Sequence, residues 1–147
     1  TTGWRIGFLA APKPIAKAIN ALQSHSTSNA TSFAQKGALA ALTGPQTHLD
    51  QWLTEFNNRR SYAAERLNKM GGVSCVNSRG AFYLFPNIED TGLKSAEFCE
   101  RLLEQSKVAA VPGIAFGADS NFRISYATSM ENIQNGMDRL EEFCKSL

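Results

Sequence analysis

The sequence predicts a fold of mixed helices and strands, either α/β or α+β, over its 147 residues. Stretches with apolar residues at every third or fourth position alternate with short stretches rich in β-branched and aromatic residues. Glycines and prolines separate these stretches, and the chain has no internal repeat or low-complexity segment. Its composition, 43% apolar and 19% charged residues, is typical of globular proteins.

The first part of the chain predicts one strand followed by two helices. Residues 1–8, Thr-Thr-Gly-Trp-Arg-Ile-Gly-Phe, form a strand-like frame that ends before Pro12. A proline in the first turn favours a helix over residues 14–23, since proline lacks only an N–H that the turn does not use. After a polar connector, a second helix is expected over residues 30–42, and Gly44 follows its end.

The next segment predicts one long amphipathic helix over residues 47–70. Its apolar residues recur at spacings of three and four with charged residues between them, and Gly71 and Gly72 end it. At about 1.5 Å per residue the helix would span roughly 36 Å. A helix of that length often connects two domains.

The remaining residues predict four short strands and two helices. Ser95 and Ser129 are each placed to cap a helix, the first of which runs to about Lys107 and the second to the end of the chain. The strands are expected at residues 73–76, 81–85, 108–111 and 121–127.

Charge and cysteine content argue against several kinds of partner. Fifteen Lys and Arg against 13 Asp and Glu give a net charge of +2 with no basic cluster, so a nucleic-acid partner is not expected. The apolar stretches end well before about 18 residues, so no membrane span is expected. Cys75, Cys99 and Cys144 are an odd number without a CxxC pair, which predicts neither disulfides nor a metal site and favours a reducing, cytoplasmic setting.

Two arginines are candidates for binding an anion. In residues 121–126, strand alternation puts Phe122 and Ile124 on one face and Arg123 on the other. A guanidinium beside packed apolar residues is costly to bury unless a carboxylate or phosphate meets its planar fork. Arg5 stands in a similar frame. The residues alone leave open that each arginine is an exposed strand residue paired with a surface acid, and no candidate nucleophile accompanies them.

Four short motifs follow one another in an order that is more specific than any one of them. They are Thr-Gly-Trp-Arg-Ile-Gly at 2–7, Gly-Ala-Phe-Tyr at 80–83, Val-Pro-Gly at 111–113 with Phe-Gly at 116–117, and Phe-Arg-Ile-Ser-Tyr at 122–126. The chain thereby resembles the class I pyridoxal-phosphate-dependent aminotransferases, most of all their bacterial-type aspartate aminotransferase branch. The resemblance implies the C-terminal portion of that fold, a sheet covered by helices. Residues 1–45 would be the tail of the large cofactor-binding domain, a strand and two helices, and residues 46–147 the small domain with its long linking helix.

The resemblance also implies roles for individual residues. Arg5 would bind the phosphate of pyridoxal 5'-phosphate, and Arg123 would bind the α-carboxylate of the substrate. Phe82 would lie near the substrate. Ser28 and Asn29 would approach the site of the partner subunit in a homodimer.

The activity that the resemblance implies is the transfer of an amino group from an L-amino acid to a 2-oxo acid. In the family, the lysine that forms the Schiff base with the cofactor lies a few residues before Thr-Gly-Trp-Arg, and this chain starts at Thr1. The seven lysines of the chain all stand outside that motif: Lys13, Lys17, Lys36, Lys69, Lys94, Lys107 and Lys145. We therefore expect a C-terminal fragment of an aspartate-type aminotransferase that contains no catalytic residue and is inactive alone.

Three alternatives remain open at this point. An aromatic or broad-specificity aminotransferase would share both arginines, as would a carbon-sulfur lyase of the same fold. The third alternative, from a different class, is a stand-alone binding domain that has lost catalysis. The substrate side chain is not fixed by the residues present.

Overall fold

The computed structural model describes residues 2–147, and within them five α-helices and three short strands form. Contacts along the chain separate it into two units, the first ending at His48 and the second beginning at Leu49. The helices are α1 (Lys13–Ser26), α2 (Ser32–Thr43), α3 (Thr47–Leu67), α4 (Ser95–Ser106) and α5 (Met130–Lys145), and the strands are β1 (Tyr83–Leu84), β2 (Val111–Pro112) and β3 (Phe122–Ser125).

The strand predicted for residues 1–8 is wrong over its described part, while Thr1 lies outside the described residues. Thr2–Trp4 forms a 3₁₀ turn instead, and Arg5 has a left-handed backbone with φ of 54°. The Trp4 indole packs so closely on α2 that a Cβ atom at Gly37 would lie 2.2 Å from its ring. A strand needs a pairing partner for its N–H and C=O groups, and this unit offers none among its described residues.

The two predicted helices of the first unit are confirmed as α1 and α2, each extending one to three residues beyond its expected C-terminal end. Their apolar side chains form little core: among the described residues of this unit, Ala34 alone is buried. Trp4 and Phe8 are 52% and 88% exposed. The first unit therefore presents much apolar surface.

The long helix is confirmed as α3, although it ends at Leu67 and not at residue 70. The Asn68 side chain ends it early, because its amide donates to the Cys75 carbonyl at 2.8 Å and accepts from the Cys75 N–H at 2.9 Å. These bonds hold the chain in a turn as it leaves the helix. The boundary between the two units falls within the first turn of α3.

The three strands form an antiparallel sheet in the order β1-β3-β2. Tyr83 pairs with Ser125 and Val111 with Arg123, so these four side chains share one face. The opposite face carries Phe122 and Ile124 into the core. The predicted strand at 73–76 is reduced to an isolated bridge, and the strand predicted at 108–111 forms only at Val111–Pro112.

The core of the second unit lies between the inner face of the sheet and the helices α3, α4 and α5. Phe98 stacks on Phe122 with ring centroids 5.0 Å apart and meets Phe143 edge-on at 5.3 Å. Ser129 caps α5 as predicted, accepting from the Asn132 N–H. The predicted cap at Ser95 is wrong. Ser95 is the first residue of α4, not the residue before it, and its hydroxyl donates to the Asp119 carboxylate at 2.7 Å.

Candidate functional site

Arg123 lies at the centre of the outer face of the sheet. Strand β3 is the middle strand, so the side chain is flanked by β1 on one side and by β2 on the other. The residues on either side of it in sequence, Phe122 and Ile124, are buried on the inner face and hold the strand in place. Arg123 itself is half-buried. The alternation read from the sequence is thus present in the structure.

Two aromatic rings contact the Arg123 guanidinium. Its Cζ atom lies 4.3 Å from the centre of the Tyr83 ring and 4.5 Å from the centre of the Phe116 ring. Tyr83 comes from β1, and Phe116 comes from the 3₁₀ turn that follows β2. The rings therefore arrive from opposite edges of the sheet, and both attract the cation through their π faces.

The N–H groups of Arg123 remain available to a ligand. Within the part of the chain that the structure describes, Arg123 has no carboxylate within 4.0 Å and no side-chain hydrogen bond, and its contacts are those with the two rings. A cavity of about 160 Å³ opens beside it. The cavity is lined by Tyr83, Ala109, Ala110, Val111, Arg123 and Ser125.

Hydrogen bonds to backbone carbonyls hold the segment that carries Tyr83. The Ser78 hydroxyl donates to the Tyr83 carbonyl at 3.2 Å, and Nη1 of Arg60 donates to the Ser78 carbonyl at 2.9 Å. The Tyr126 hydroxyl donates to the Ala81 carbonyl at 2.9 Å. These bonds link the segment around β1 to α3 and to the residue after β3, so the backbone that carries the Tyr83 ring is held in place.

Gly113 holds the segment that carries Phe116. Its N–H donates to the Asn121 carbonyl at 2.8 Å, and its carbonyl accepts from the Ala118 N–H at 3.0 Å. A Cβ atom at this position would lie 2.2 Å from the carbonyl oxygens of both Ala118 and Asn121. Only glycine permits this approach, which explains the glycine in the Val-Pro-Gly motif.

No role was predicted for Tyr83 or for Phe116 from the sequence, although both lie inside the motifs that carried the resemblance. The signal for Tyr83 was present in strand alternation, since a register with Ser125 puts it on the face of Arg123. Phe116 lies in a 3₁₀ turn, where no strand periodicity applies. Its position could not be obtained from spacing.

Arg5, in the first unit, is the one charged residue among the described residues that line a cavity of about 310 Å³. Hydroxyl or amide groups come from Gln23, Thr27, Asn29 and Thr31. Residues 1–49 contain four Lys or Arg and no Asp or Glu, so they carry a formal charge of +4. A cavity with these donors and no carboxylate in its unit suits a phosphate group.

The remaining predicted site residues are placed as follows. Asn29 lines the cavity beside Arg5, and Ser28 precedes it with a left-handed backbone at φ 62°. The ring centroids of Phe82 and Tyr83 lie 4.5 Å apart, and Phe82 also lines a separate pocket with the first half of α3. Arg5 and Arg123 belong to different units.

The cysteines are poor nucleophiles at neutral pH. Burial raises the pKa of the Cys75 thiol, and it raises the pKa of Cys99 and of Cys144 to about 11. All three are free thiols. Over residues 2–147, His, Cys, Asp and Glu side chains form no group of three that could hold a metal ion. None of the described helices is both long and apolar enough to cross a membrane.

Comparison with known proteins identifies the family. The family model described as "Aminotransferase class I and II" matches residues 1–140. The chain belongs to the aminotransferases of class I and II. It is 45% identical to the aspartate aminotransferase of Geobacillus stearothermophilus over 99% of this chain, and the match covers 38% of that enzyme. The chain thus spans well under half the length of this relative.

Solved aminotransferase structures contain the same arrangement of helices and strands. The aspartate aminotransferase from Rhizobium meliloti has a TM-score of 0.91 and 37% identity, with 98% of this chain and 38% of that chain covered. The aromatic aminotransferase from Pyrococcus horikoshii OT3 has a TM-score of 0.92 and 40% identity, with 99% and 40% covered. The fold prediction is confirmed, because the chain matches part of the pyridoxal-phosphate-dependent aminotransferase fold.

Proposed function

We propose that this chain is the C-terminal part of an aspartate-type aminotransferase, which moves an amino group from an L-amino acid to a 2-oxo acid. The single observation that carries the proposal is the state of Arg123. Its guanidinium is half-buried, contacts two aromatic rings and has no carboxylate within 4.0 Å among the residues that the structure describes. A planar anion from outside the chain is its natural partner.

Arg123 binds the α-carboxylate in this proposal. Every amino acid and 2-oxo acid carries that group, so one arginine serves both half-reactions. A carboxylate meets a guanidinium through two parallel N–H···O bonds, which fixes the orientation of the substrate as well as its position. The bound substrate thereby presents its α-carbon in one direction.

Arg5 binds the phosphate of pyridoxal 5'-phosphate in this proposal. The cavity beside it fits a phosphate, because residues with hydroxyl and amide side chains line it together with Arg5 and its unit contains no Asp or Glu. Thr27 and Thr31 supply hydroxyl groups, and Asn29 supplies an amide. When bound, pyridoxal phosphate supplies an electron sink for the bonds at the α-carbon of the substrate.

The domain division, the assembly and the location are further parts of the proposal. Residues 1–45 belong to the large cofactor-binding domain and residues 46–147 to the small domain, with the division into units at His48 and Leu49 in support. The whole enzyme is a cytoplasmic homodimer. The three free thiols support a reducing setting.

The first experiment tests whether this chain acts alone. We expect no 2-oxo acid formation from aspartate when the purified 147-residue chain is given pyridoxal phosphate and an acceptor oxo acid. The reason is that none of its seven lysines stands in the cofactor-attachment motif. Turnover comparable to that of an intact aminotransferase would contradict this part of the proposal.

The second experiment tests Arg123 in the whole enzyme that contains this chain. We expect Arg123→Ala to lower kcat/KM by roughly 100-fold to 1000-fold, which is typical when one partner of a hydrogen-bonded charge pair is removed. The loss should be similar for aspartate and for phenylalanine, because both carry the α-carboxylate. A loss confined to one of them would assign Arg123 to side-chain recognition and contradict the proposal.

The same assay addresses the second candidate function, an aromatic aminotransferase. The similarity to the Pyrococcus horikoshii aromatic aminotransferase favours that candidate. In the unmodified enzyme, a higher kcat/KM for aspartate than for phenylalanine would support the aspartate type. The reverse order would support the aromatic type and leave the roles of both arginines unchanged.

A further inference from the structure

We propose that Tyr83 and Phe116 are positioning residues that fix the plane of the Arg123 guanidinium. The inference rests on the proposed function, in which Arg123 binds the α-carboxylate of the substrate. The two rings touch the guanidinium and have no part in the reaction itself. These contacts occupy none of the N–H groups that a ligand would need.

Both rings lie close to the Arg123 guanidinium. The Cζ atom of Arg123 lies over both rings at nearly the same distance, 4.3 Å and 4.5 Å. At these distances both rings are in van der Waals contact with the cation. Rotation of the guanidinium about its side-chain bonds would have to displace one ring or the other.

Each of the two rings is itself in contact with another aromatic ring. Phe85 meets the Phe116 ring edge-on at 5.9 Å, and Phe82 contacts the Tyr83 ring at 4.5 Å. The backbone on either side of Tyr83 is fixed by hydrogen bonds from Ser78 and to β3. The Tyr83 and Phe116 rings are therefore held in place independently of the cation.

No polar group among the described residues orients the Arg123 guanidinium. A carboxylate can fix the orientation of an arginine through its N–H groups, as two carboxylates do for Arg66. Arg123 makes no such bond to any residue that the structure describes. Aromatic contacts can orient the cation without occupying the donors that the substrate needs, so a preorganised site results.

The test uses the 147-residue chain with propanoate as a carboxylate probe. Binding is measured by NMR titration of the Arg123 Nε–Hε resonance, and the order of that N–H vector is measured by ¹⁵N relaxation. We expect Tyr83→Leu and Phe116→Leu each to weaken propanoate binding about 2-fold to 10-fold, the range for ordering one long side chain. Both should also lower the Nε–Hε order parameter before any probe is added.

Two control variants complete the set. Phe116→Tyr keeps an aromatic face and should bind propanoate within about twofold of the unmodified chain. Phe8→Leu makes the same chemical change as Phe116→Leu at a ring that is 88% exposed in the first unit, and it should change neither readout. Unchanged backbone amide shifts in the core of the second unit establish that each variant is folded.

The outcomes separate this inference from the proposed function. If Arg123→Lys abolishes propanoate binding while both leucine variants keep the affinity and the order parameter, the positioning role is wrong and the carboxylate role stands. If Arg123→Lys binds propanoate as well as the unmodified chain, the carboxylate role itself is wrong. Weaker binding and lower order in the leucine variants, restored by Phe116→Tyr, support the inference.

Discussion

Replacing Gly113 by alanine should greatly lower the free energy of unfolding of the second unit, although the change adds a single methyl group. The added Cβ atom would lie 2.2 Å from two backbone carbonyl oxygens, those of Ala118 and Asn121, and 2.7 Å from the Asn121 carbonyl carbon. Ordinary contact begins at 3.4 Å, so the backbone would have to open by more than 1 Å. No side chain can give way, because the clashing atoms all belong to the backbone.

The magnitude follows from what that opening breaks. The bonds from Gly113 to Asn121 and from Ala118 to Gly113 cannot both survive, and losing the pair costs about 2 kcal/mol. Strain from inserting a methyl group into a closely packed region adds about 1–3 kcal/mol. We therefore expect Gly113→Ala to lower the free energy of unfolding of the second unit by about 3–5 kcal/mol.

Hydrogen exchange of the Phe122 amide is the suitable assay. This N–H donates to the Pro86 carbonyl within the second unit, so its exchange reports the opening of that unit and not of the first. A loss of 3–5 kcal/mol corresponds to exchange that is roughly 100-fold to 5000-fold faster. The matched control is Gly136→Ala on α5, where a Cβ atom would meet nothing within 4 Å.

The control should move in the opposite direction. Alanine is favoured over glycine within a helix by about 0.5–1 kcal/mol, so Gly136→Ala should slow exchange about 2-fold to 5-fold. Exchange in Gly113→Ala within threefold of the unmodified chain would refute the reasoning from the close approach. Equal acceleration in both variants would refute it as well, since it would show a general intolerance of alanine.

Three further predictions concern other parts of the molecule. Arg66→Met should lower the urea midpoint of the second unit by an amount equivalent to about 1 kcal/mol, since it removes partly exposed ion pairs to two carboxylates on α5. The difference between the two proteins should shrink in 1 M salt. A difference that does not depend on salt would contradict the ion-pair explanation. Gly37→Ala should shift the Trp4 indole N–H resonance, because its methyl group would lie 2.2 Å from that ring, while the Trp52 resonance serves as the internal control. Burial raises the pKa of Cys99 and of Cys144 to about 11, against about 8.5 in an unfolded chain. The unfolded state therefore loses these protons first as the pH rises. The free energy of unfolding should keep its full value below about pH 8.5 and fall as the pH rises toward 11. Urea unfolding at pH 8 and pH 10.5 checks this, and replacing both cysteines by alanine should reduce the pH dependence.

Helices were predictable from sequence wherever apolar periodicity and end signals agreed. Ser129 caps α5 because its hydroxyl has the next turn of backbone within reach. Ser95 also precedes a stretch of helical periodicity, but its hydroxyl donates a hydrogen bond to the carboxylate of Asp119, 24 residues away. A distant carboxylate cannot be seen in local spacing, which is why one prediction held and the other did not.

The strands were harder to predict, because a strand exists only where another strand pairs with it. Residues 1–8 have strand-like composition, yet no partner strand forms among the described residues of their unit. At residues 121–127 the same kind of pattern was borne out, since both neighbours are present in the second unit. The candidate site followed this division: Arg123 was found from its alternation, whereas the Phe116 ring depends on a turn that alternation does not describe.

The surroundings of the two candidate anion sites differ in their acidic residues. Residues 1–49 have no Asp or Glu, so composition alone leaves the cavity beside Arg5 without an acidic competitor in its unit. Residues 50–147 carry 13 acids, and their ion pairs join residues on or next to helices, mostly one turn apart. Within residues 2–147, Arg123 has no such ion pair, because the other paired residues on its face of the sheet, Val111, Tyr83 and Ser125, are not acidic. In a unit that carries all 13 acids, the aromatic and small residues of this sheet face therefore leave the guanidinium without a carboxylate partner among the described residues.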